Sequence, residues 1–71
     1  MRIFHIVFDE KGLESFKDFV SQIHDINYQH ILMLNSDSLY GSIKDIRNVE
    51  LVSDFDTAAE KLILSDKVIV W

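Results

Sequence analysis

Short apolar segments alternate with amphipathic ones along the chain, which is the pattern of strands alternating with helices. Residues 3–8 are rich in β-branched and aromatic side chains and predict a first strand. Asp9 can cap the helix that follows. The apolar side chains of this helix repeat on one face, at Leu13, Phe16, Val20 and Ile23. The helix is predicted to end around His24 and Asp25.

The middle of the chain predicts a second strand and a short helix. Residues 30–34 form an unbroken apolar run, His-Ile-Leu-Met-Leu, which suits a strand buried on both faces of a parallel sheet. Leu39, Ile43 and Ile46 then have the spacing of one helical face, so we expect a short helix around Gly41.

The last third of the chain has the most regular pattern. Residues 49–52 predict a short third strand. Ser53 and Asp56 have the spacing of a helix start. Apolar side chains then repeat at helical spacing, at Phe55, Ala58, Ala59, Leu62 and Ile63. This helix should end at residues 65–66, and residues 67–71 predict a fourth strand.

The order of these elements, β-α-β-α-β-α-β, predicts an α/β fold. Strands that are separated by helices pair in parallel through right-handed crossovers. The simplest arrangement is a single domain over residues 1–71, a small four-stranded Rossmann-like half-sheet with the strand order 3-2-1-4. Glu50 agrees with this order, because the third strand then lies at an edge, where a charge is tolerated.

The fourth strand is the other edge of the predicted sheet, and it has no charge after Lys67. Its apolar residues are Val68, Ile69, Val70 and Trp71. Exposed apolar edges pair with other strands. We therefore expect these residues to contact a second copy of the chain, another protein, or a further strand of a longer protein. A chain that stops at Trp71 in mid-strand favours the longer protein, of which residues 1–71 would be the N-terminal piece.

Composition is that of a small globular domain. The 71 residues are 48% apolar and 27% charged, and there is no cysteine, which excludes disulfides and thiolate metal sites. A domain of this size buries only about 60% of its unfolded surface, so its core is marginal. No apolar run approaches the roughly 20 residues that span a bilayer. We expect a cytoplasmic protein without a membrane span.

The net charge of −5 argues against direct nucleic-acid binding, because phosphate contacts need clustered Lys and Arg. The acidity either serves solubility or indicates a basic partner or mimicry of a nucleic acid.

Polar side chains follow the predicted strands at their carboxyl ends, where open parallel sheets bind ligands. They are Asp9, Asn35, Asp37, Ser53 and Asp54. Together they would form a crevice for a hydroxylated ligand or a cation. The alternative is helix capping, because Asp, Ser and Asn are the preferred cap residues.

Several common sites have no counterpart in the sequence. It has no Gly-x-Gly-x-x-Gly or Walker-type loop, and the turn after the first strand is acidic where a phosphate would bind, so no nucleotide cofactor is expected. His5, His24 and His30 lack the spacing of a metal site. We expect one of them within a strand and the other two at the surface or partly packed. No Ser-His-Asp set or Gly-x-Ser-x-Gly motif is present.

Parts of the chain resemble a known enzyme family. Residues 5–11, His-Ile-Val-Phe-Asp-Glu-Lys, followed by Phe16 and Phe19, resemble the opening of GT-B glycosyltransferases. The likeness is to the fucosamine transferases of bacterial envelope polysaccharide synthesis. Residues 48–52 and 64–70 resemble later strands of the same N-terminal half-domain.

The resemblance implies an N-terminal, acceptor-side domain of a glycosyltransferase-like protein, with Asp9 and Asp37 on the acceptor side. The sugar-nucleotide site of such enzymes lies largely in a C-terminal domain, so the 71-residue chain alone is not expected to catalyse transfer. Gly12 departs from the family's bulkier residue, and Trp71 stands where a His is expected.

Two other interpretations compete with this one. Residues 5–8 and 37–43 are similar to the start of an uncharacterised bacterial domain family, which has Pro where this chain has Ser42, and which implies no activity. Apart from any resemblance, the net charge and the apolar fourth strand are typical of a small acidic module. Such a module would act as an inhibitor or adaptor by adding its edge strand to a partner's sheet.

Overall fold

The structure, a computed structural model, describes residues 1–23, 27–34 and 49–71. The elements in chain order are β1 (Arg2–Val7), α1 (Glu10–Gln22), β2 (Gln29–Leu34), β3 (Val49–Val52), α2 (Phe55–Ile63) and β4 (Lys67–Val70). The predicted strands and the two longer helices are confirmed, although α1 ends at Gln22 rather than around His24. The predicted short helix around Gly41 lies outside the described residues.

The four strands form one parallel sheet in the order β3-β2-β1-β4, as predicted. The central strand β1 pairs with β2 on one side and with β4 on the other. Its register places His5 beside Leu32 of β2 and Ile69 of β4, and it places Ile3 beside His30 and Lys67. Because side chains alternate between the faces of a sheet, each such row lies on one face.

Each helix covers one face of this sheet. The core on the α1 face consists of Val7, Leu13, Phe16, Leu32 and Leu34. The core on the α2 face consists of Phe4, Ile31, Val52 and Ala58. Full burial of a Leu or Phe side chain stabilises the fold by about 1.5–3 kcal/mol, so these few residues dominate the stability of so small a domain.

Gly12 lies in the first turn of α1, where the end of β4 approaches the helix closely. A Cβ atom at this position would be 3.2 Å from the carbonyl oxygen of Trp71 and 3.3 Å from Oδ1 of Asp9. Glycine is unfavourable in a helix by about 1 kcal/mol relative to alanine. The close packing of β4 against α1 explains why a residue without a side chain stands there.

The edge strand β3 carries its charge toward solvent. Glu50 forms an ion pair with Lys61 of α2, with 3.3 Å between Oε2 of Glu50 and Nζ of Lys61. Both side chains are substantially exposed, so the pair is worth less than about 1 kcal/mol. Neither of the described helices is long and apolar enough to cross a membrane.

Candidate functional site

The predicted polar crevice contains two aspartates that cap helices. Asp9 is the N-cap of α1, and its carboxylate accepts a hydrogen bond of 2.8 Å from the backbone N–H of Gly12. Asp54 is the N-cap of α2 and accepts one of 2.9 Å from the N–H of Thr57. The hydrogen bonds from Thr57 lower the pKa of Asp54 below its ordinary value. Capping therefore accounts for both residues.

The structure describes one further member of the predicted crevice, Ser53. Ser53 is exposed between β3 and α2. Asn35 and Asp37 lie outside the described residues. The crevice as a ligand site therefore stays a prediction.

An open cavity of about 300 Å³ lies at the amino ends of β1 and β4, which is the end of the sheet opposite to the predicted crevice. It is lined by Met1, Ile3, Phe19, Ile23, Tyr28, Lys67 and Ile69. Its walls are mostly apolar, with a phenol and an ammonium group among them. Phe19 lines this cavity and also contacts the buried rings of His5 and His30, so the cavity borders those two side chains.

The polar centre of the molecule is a pair of buried histidines on the α1 face. His5, in the middle of β1, is 0% exposed, and His30, near the start of β2, is 4% exposed. The expectation that His30 lies at the surface or is only partly packed is wrong. The parallel register places the two residues on adjacent strands and the same face, where α1 covers both.

Trp71 extends this pair into a chain of hydrogen bonds. Its indole Nε1–H donates to Nδ1 of His5 at 3.0 Å. Nε2 of His5 and Nδ1 of His30 are 2.9 Å apart. The indole and the His5 ring are nearly parallel, with an interplanar angle of 13° and 6.1 Å between their centroids. Residues far apart in sequence thus form one connected cluster, the His5–His30–Trp71 cluster.

The direction of donation in this cluster fixes the position of every proton. Indole nitrogen can only donate, so Nδ1 of His5 must be the acceptor and carries no proton. Neutral His5 is then protonated at Nε2, which donates to Nδ1 of His30. His30 in turn carries its proton at Nε2. That Nε2–H is buried and has no hydrogen-bond partner within the described chain.

The surroundings of the cluster favour neutral rings. Phe16 meets the His5 ring edge-on at 4.7 Å between centroids, and Phe19 contacts both histidines. Burial, and secondarily the neighbouring His30, lowers the pKa of His5 to about 4. Burial also lowers the pKa of His30. The cause in both cases is that a charged ring would lose its hydration.

The geometry limits the chemistry of the cluster. Both rings are buried, and both unprotonated nitrogens already accept hydrogen bonds, so neither ring is available as a base or as a metal ligand without rearrangement. No group of three or more His, Asp or Glu side chains in the described ranges could hold a metal ion. The hydrogen bonds of the cluster are sensitive to pH, because each unprotonated ring nitrogen is an acceptor in one of them.

The open edge of β4 lies beside this cluster. Val68 and Val70 lie in the same rows as Phe4 and Ile6 on the α2 face, but they are 45% and 60% exposed. We call the backbone edge of β4 with these two side chains the β4 edge surface. Ile69 and Trp71, which were also predicted to contact a partner, lie instead on the α1 face and are partly buried.

Sequence patterns missed the cluster because its members come together only through register. Each histidine lies in an apolar run, which was the available signal that its side chain is buried. The predicted parallel order makes the two histidine-bearing strands neighbours, but the register that brings His5 and His30 into contact could not be inferred from it.

No protein-family model matches the chain, and no match to it was found among curated proteins or among solved structures.

Proposed function

We propose that the chain is a small protein-interaction module that self-associates by pairing β4 with β4 of a second copy. The observation that supports this proposal is the position of β4: it is an edge strand with one neighbour, and its Val68 and Val70 are about half exposed. An uncovered strand edge presents unpaired N–H and C=O groups to another strand.

Charge favours a second copy over a basic partner. The chain has a net charge of −5, but β4 has no acidic residue, and its only charge is Lys67. A basic protein would find no carboxylate on this strand to pair with. Two copies related by a two-fold axis bring identical apolar edges together in antiparallel orientation, and such a contact is self-complementary.

Further exposed apolar side chains precede the strand in the chain. Ile63 and Leu64, at the end of α2, are 82% and 52% exposed and precede β4 in the chain. When a partner removes exposed apolar surface from water, the free energy of association becomes more favourable by about 25 cal/mol per Å². Strand pairing would therefore add main-chain hydrogen bonds to a hydrophobic contact.

The test is sedimentation equilibrium of the wild type and of two matched variants. Val68→Lys places a charge on the β4 edge surface and is expected to leave the protein monomeric at concentrations where the wild type is dimeric. Leu51→Lys, on β3 at the other edge of the sheet, has a similar exposure of 43% against 45% and should dimerise like the wild type. A monomeric wild type, or equal dimerisation of both variants, would disprove the proposal.

Salt gives a second readout for the same proposal. Two copies of net charge −5 repel each other, and salt screens that repulsion. Self-association should therefore strengthen between 50 mM and 500 mM NaCl. Binding of a basic partner would weaken over the same range.

A second candidate function follows from the resemblance to GT-B glycosyltransferases, in which the chain would be the acceptor-side domain of a longer enzyme and inactive alone. The observed strand order is favourable to it, since one half of a doubly wound sheet has this order. A likeness of fold does not imply an activity. Calorimetric titration of the chain with a sugar nucleotide and with candidate acceptor saccharides tests this second candidate.

A further inference from the structure

The His5–His30–Trp71 cluster accommodates only two protons on its four imidazole nitrogens. Nδ1 of His5 faces the indole N–H and must be unprotonated. One proton lies between the two rings, and one is on Nε2 of His30. A third proton must go to one of the two accepting nitrogens, where it faces another N–H. Protonation therefore breaks a hydrogen bond of the cluster.

Among the residues that the structure describes, no acidic side chain lies against either ring to compensate for a positive charge. Within the described chain, α1 presents Phe16 and Phe19 to the pair, and its acidic side chains, Glu10, Glu14 and Asp18, are exposed. The β3 neighbour of His30 is Val49. On β4, Lys67 lies in the same row as Ile3 and His30. Lys67 is a cation, so it cannot compensate for a positive charge. An added proton thus meets no counter-ion among the described side chains, on rings that are buried from solvent.

The strand that these bonds hold is β4. As an edge strand it pairs only with β1 in the described sheet. Its end is fastened there by the backbone N–H of Trp71, which donates to the Ile6 carbonyl at 2.9 Å, and by the indole bond to His5. Both histidines, in contrast, lie on the strands β1 and β2, which pair along six residues each.

We propose that protonation of the histidine pair releases β4 from β1, so that the cluster acts as an acid-sensitive latch on the edge strand. Trp71 turns away from His5, the imidazolium gains water, and the edge of β1 is uncovered. Release of the strand is a property of the single chain. Its consequence for assembly, loss of the β4 edge surface in acid, rests on the proposed function.

The size of the effect follows from the difference in proton affinity. The pKa of His5 is about 4 in the closed state against an ordinary value of 6.5. For a released state in which His5 has its ordinary pKa, the ratio of released to closed molecules should rise roughly 30-fold between pH 7.5 and pH 5. The lowered pKa of His30 acts in the same direction.

Hydrogen exchange measured by NMR at a concentration where the chain is monomeric tests the latch. We expect the protection factors of the β4 amides to fall roughly 30-fold from pH 7.5 to pH 5 and to depend only weakly on added urea at pH 5. The β2 amides should stay better protected and depend strongly on urea, because they exchange through global unfolding. Equal protection factors with an equal urea dependence in both strands at pH 5 would mean that β4 opens only by global unfolding, and would overturn the proposal. Because the measurement uses the monomer, failure of the latch is distinguishable from failure of self-association.

The matched variant is the double substitution His5→Gln with His30→Gln. A glutamine at position 5 can accept from the indole and donate to position 30, so the bonds are retained without a group that titrates. In this variant the β4 protection factors should not change with pH. Retention of the acid response by the double variant would also overturn the proposal.

A measurement on the wild type alone covers the case in which the double variant does not fold. The indole N–H resonance of Trp71, the single tryptophan, reports its bond to His5 directly. We expect this resonance to move to its free position at the pH where the His5 ring titrates. Titration of His5 with the indole bond intact would rule the latch out.

Discussion

At the scale of single residues, Trp71 determines which nitrogen of His5 carries a proton. Its indole N–H is donated to Nδ1, so the ring is held in the Nε2-protonated form. A hydrogen bond to the neutral form of a base disfavours the charged form. Burial, and after it the neighbouring His30, lowers the pKa of His5. By this chemical argument the indole hydrogen bond opposes protonation in the same direction.

Replacing the indole should make His5 easier to protonate. Trp71→Phe keeps an aromatic ring but removes the donor, and the freed Nδ1 can then take a proton. We expect the pKa of His5 to rise from about 4 toward its ordinary value of 6.5. We also expect the free energy of unfolding at pH 7.5 to fall by about 1 kcal/mol from the lost hydrogen bond.

NMR titration of the histidine side chains measures this change, and urea unfolding measures the stability. A His5 pKa that is the same in Trp71→Phe and in the wild type would show that the indole bond has no influence on the ring.

Residue-level properties were the hardest to predict from the sequence. The capping role of Asp9 and Asp54 was one of two stated alternatives, and it depends only on local sequence. The burial of His30 was predicted wrongly, because it is decided by α1 and by two strands that are distant in sequence. Local signals are readable in the chain, whereas a contact across strands requires the register.

At the scale of elements, the start of α1 combines a cap with a close approach. Asp9 supplies the carboxylate that accepts from Gly12, and Gly12 gives the space that the Trp71 carbonyl occupies. The sequence predicted the cap, and glycine is by itself unfavourable within a helix. The sequence could not give the reason for the glycine, because that reason is the packing of β4 against this turn.

Substitutions of Asp9 separate capping from ligand binding. Asp9→Ala should lower the free energy of unfolding by about 1 kcal/mol, because the N–H of Gly12 loses its acceptor. Asp9→Asn should retain nearly all of the stability, since asparagine caps as well as aspartate. Urea unfolding followed by circular dichroism measures both effects.

The outcome for asparagine decides between the two interpretations. A cap needs only an oxygen acceptor, whereas a cation or an acceptor hydroxyl held by a carboxylate needs the charge. Equal destabilisation by alanine and asparagine would mean that the negative charge of Asp9 is required, and it would contradict the assignment of this residue as a simple cap.

At the scale of the whole molecule, the topology was predictable and the site was not. Alternating apolar runs and helical stripes determine parallel strands, right-handed crossovers and hence the order 3-2-1-4. The open edge at β4 follows from that order together with the absence of a charge after Lys67. The histidine pair depends on the register of β1 against β2, which no local pattern specifies.

The stability of the whole molecule should fall as the pH is lowered from 7.5 to 5. The folded-state pKa of His5 lies below the unfolded value, so between about 4 and 6.5 the unfolded chain binds more protons than the folded one. The contribution of the neutral ring is fully present above pH 6.5 and is lost as the pH falls toward 4. The largest loss of stability that His5 can cause is roughly 3 kcal/mol, because each unit of its pKa difference corresponds to about 1.36 kcal/mol. This is a large part of the stability of so small a domain.

The chosen pH range separates this effect from that of the carboxylates. The pKa of Asp54 is lowered from an ordinary value of 3.8, so its contribution to stability is lost only below that pH. Urea midpoints measured from pH 7.5 to pH 5 therefore report on the histidines. We expect the midpoint of the wild type to decrease steadily over this range and that of the double glutamine variant to stay nearly constant. If the wild-type midpoint is as flat as that of the variant, the buried histidines do not resist protonation, and the acid sensitivity inferred from their hydrogen bonds is absent from the molecule.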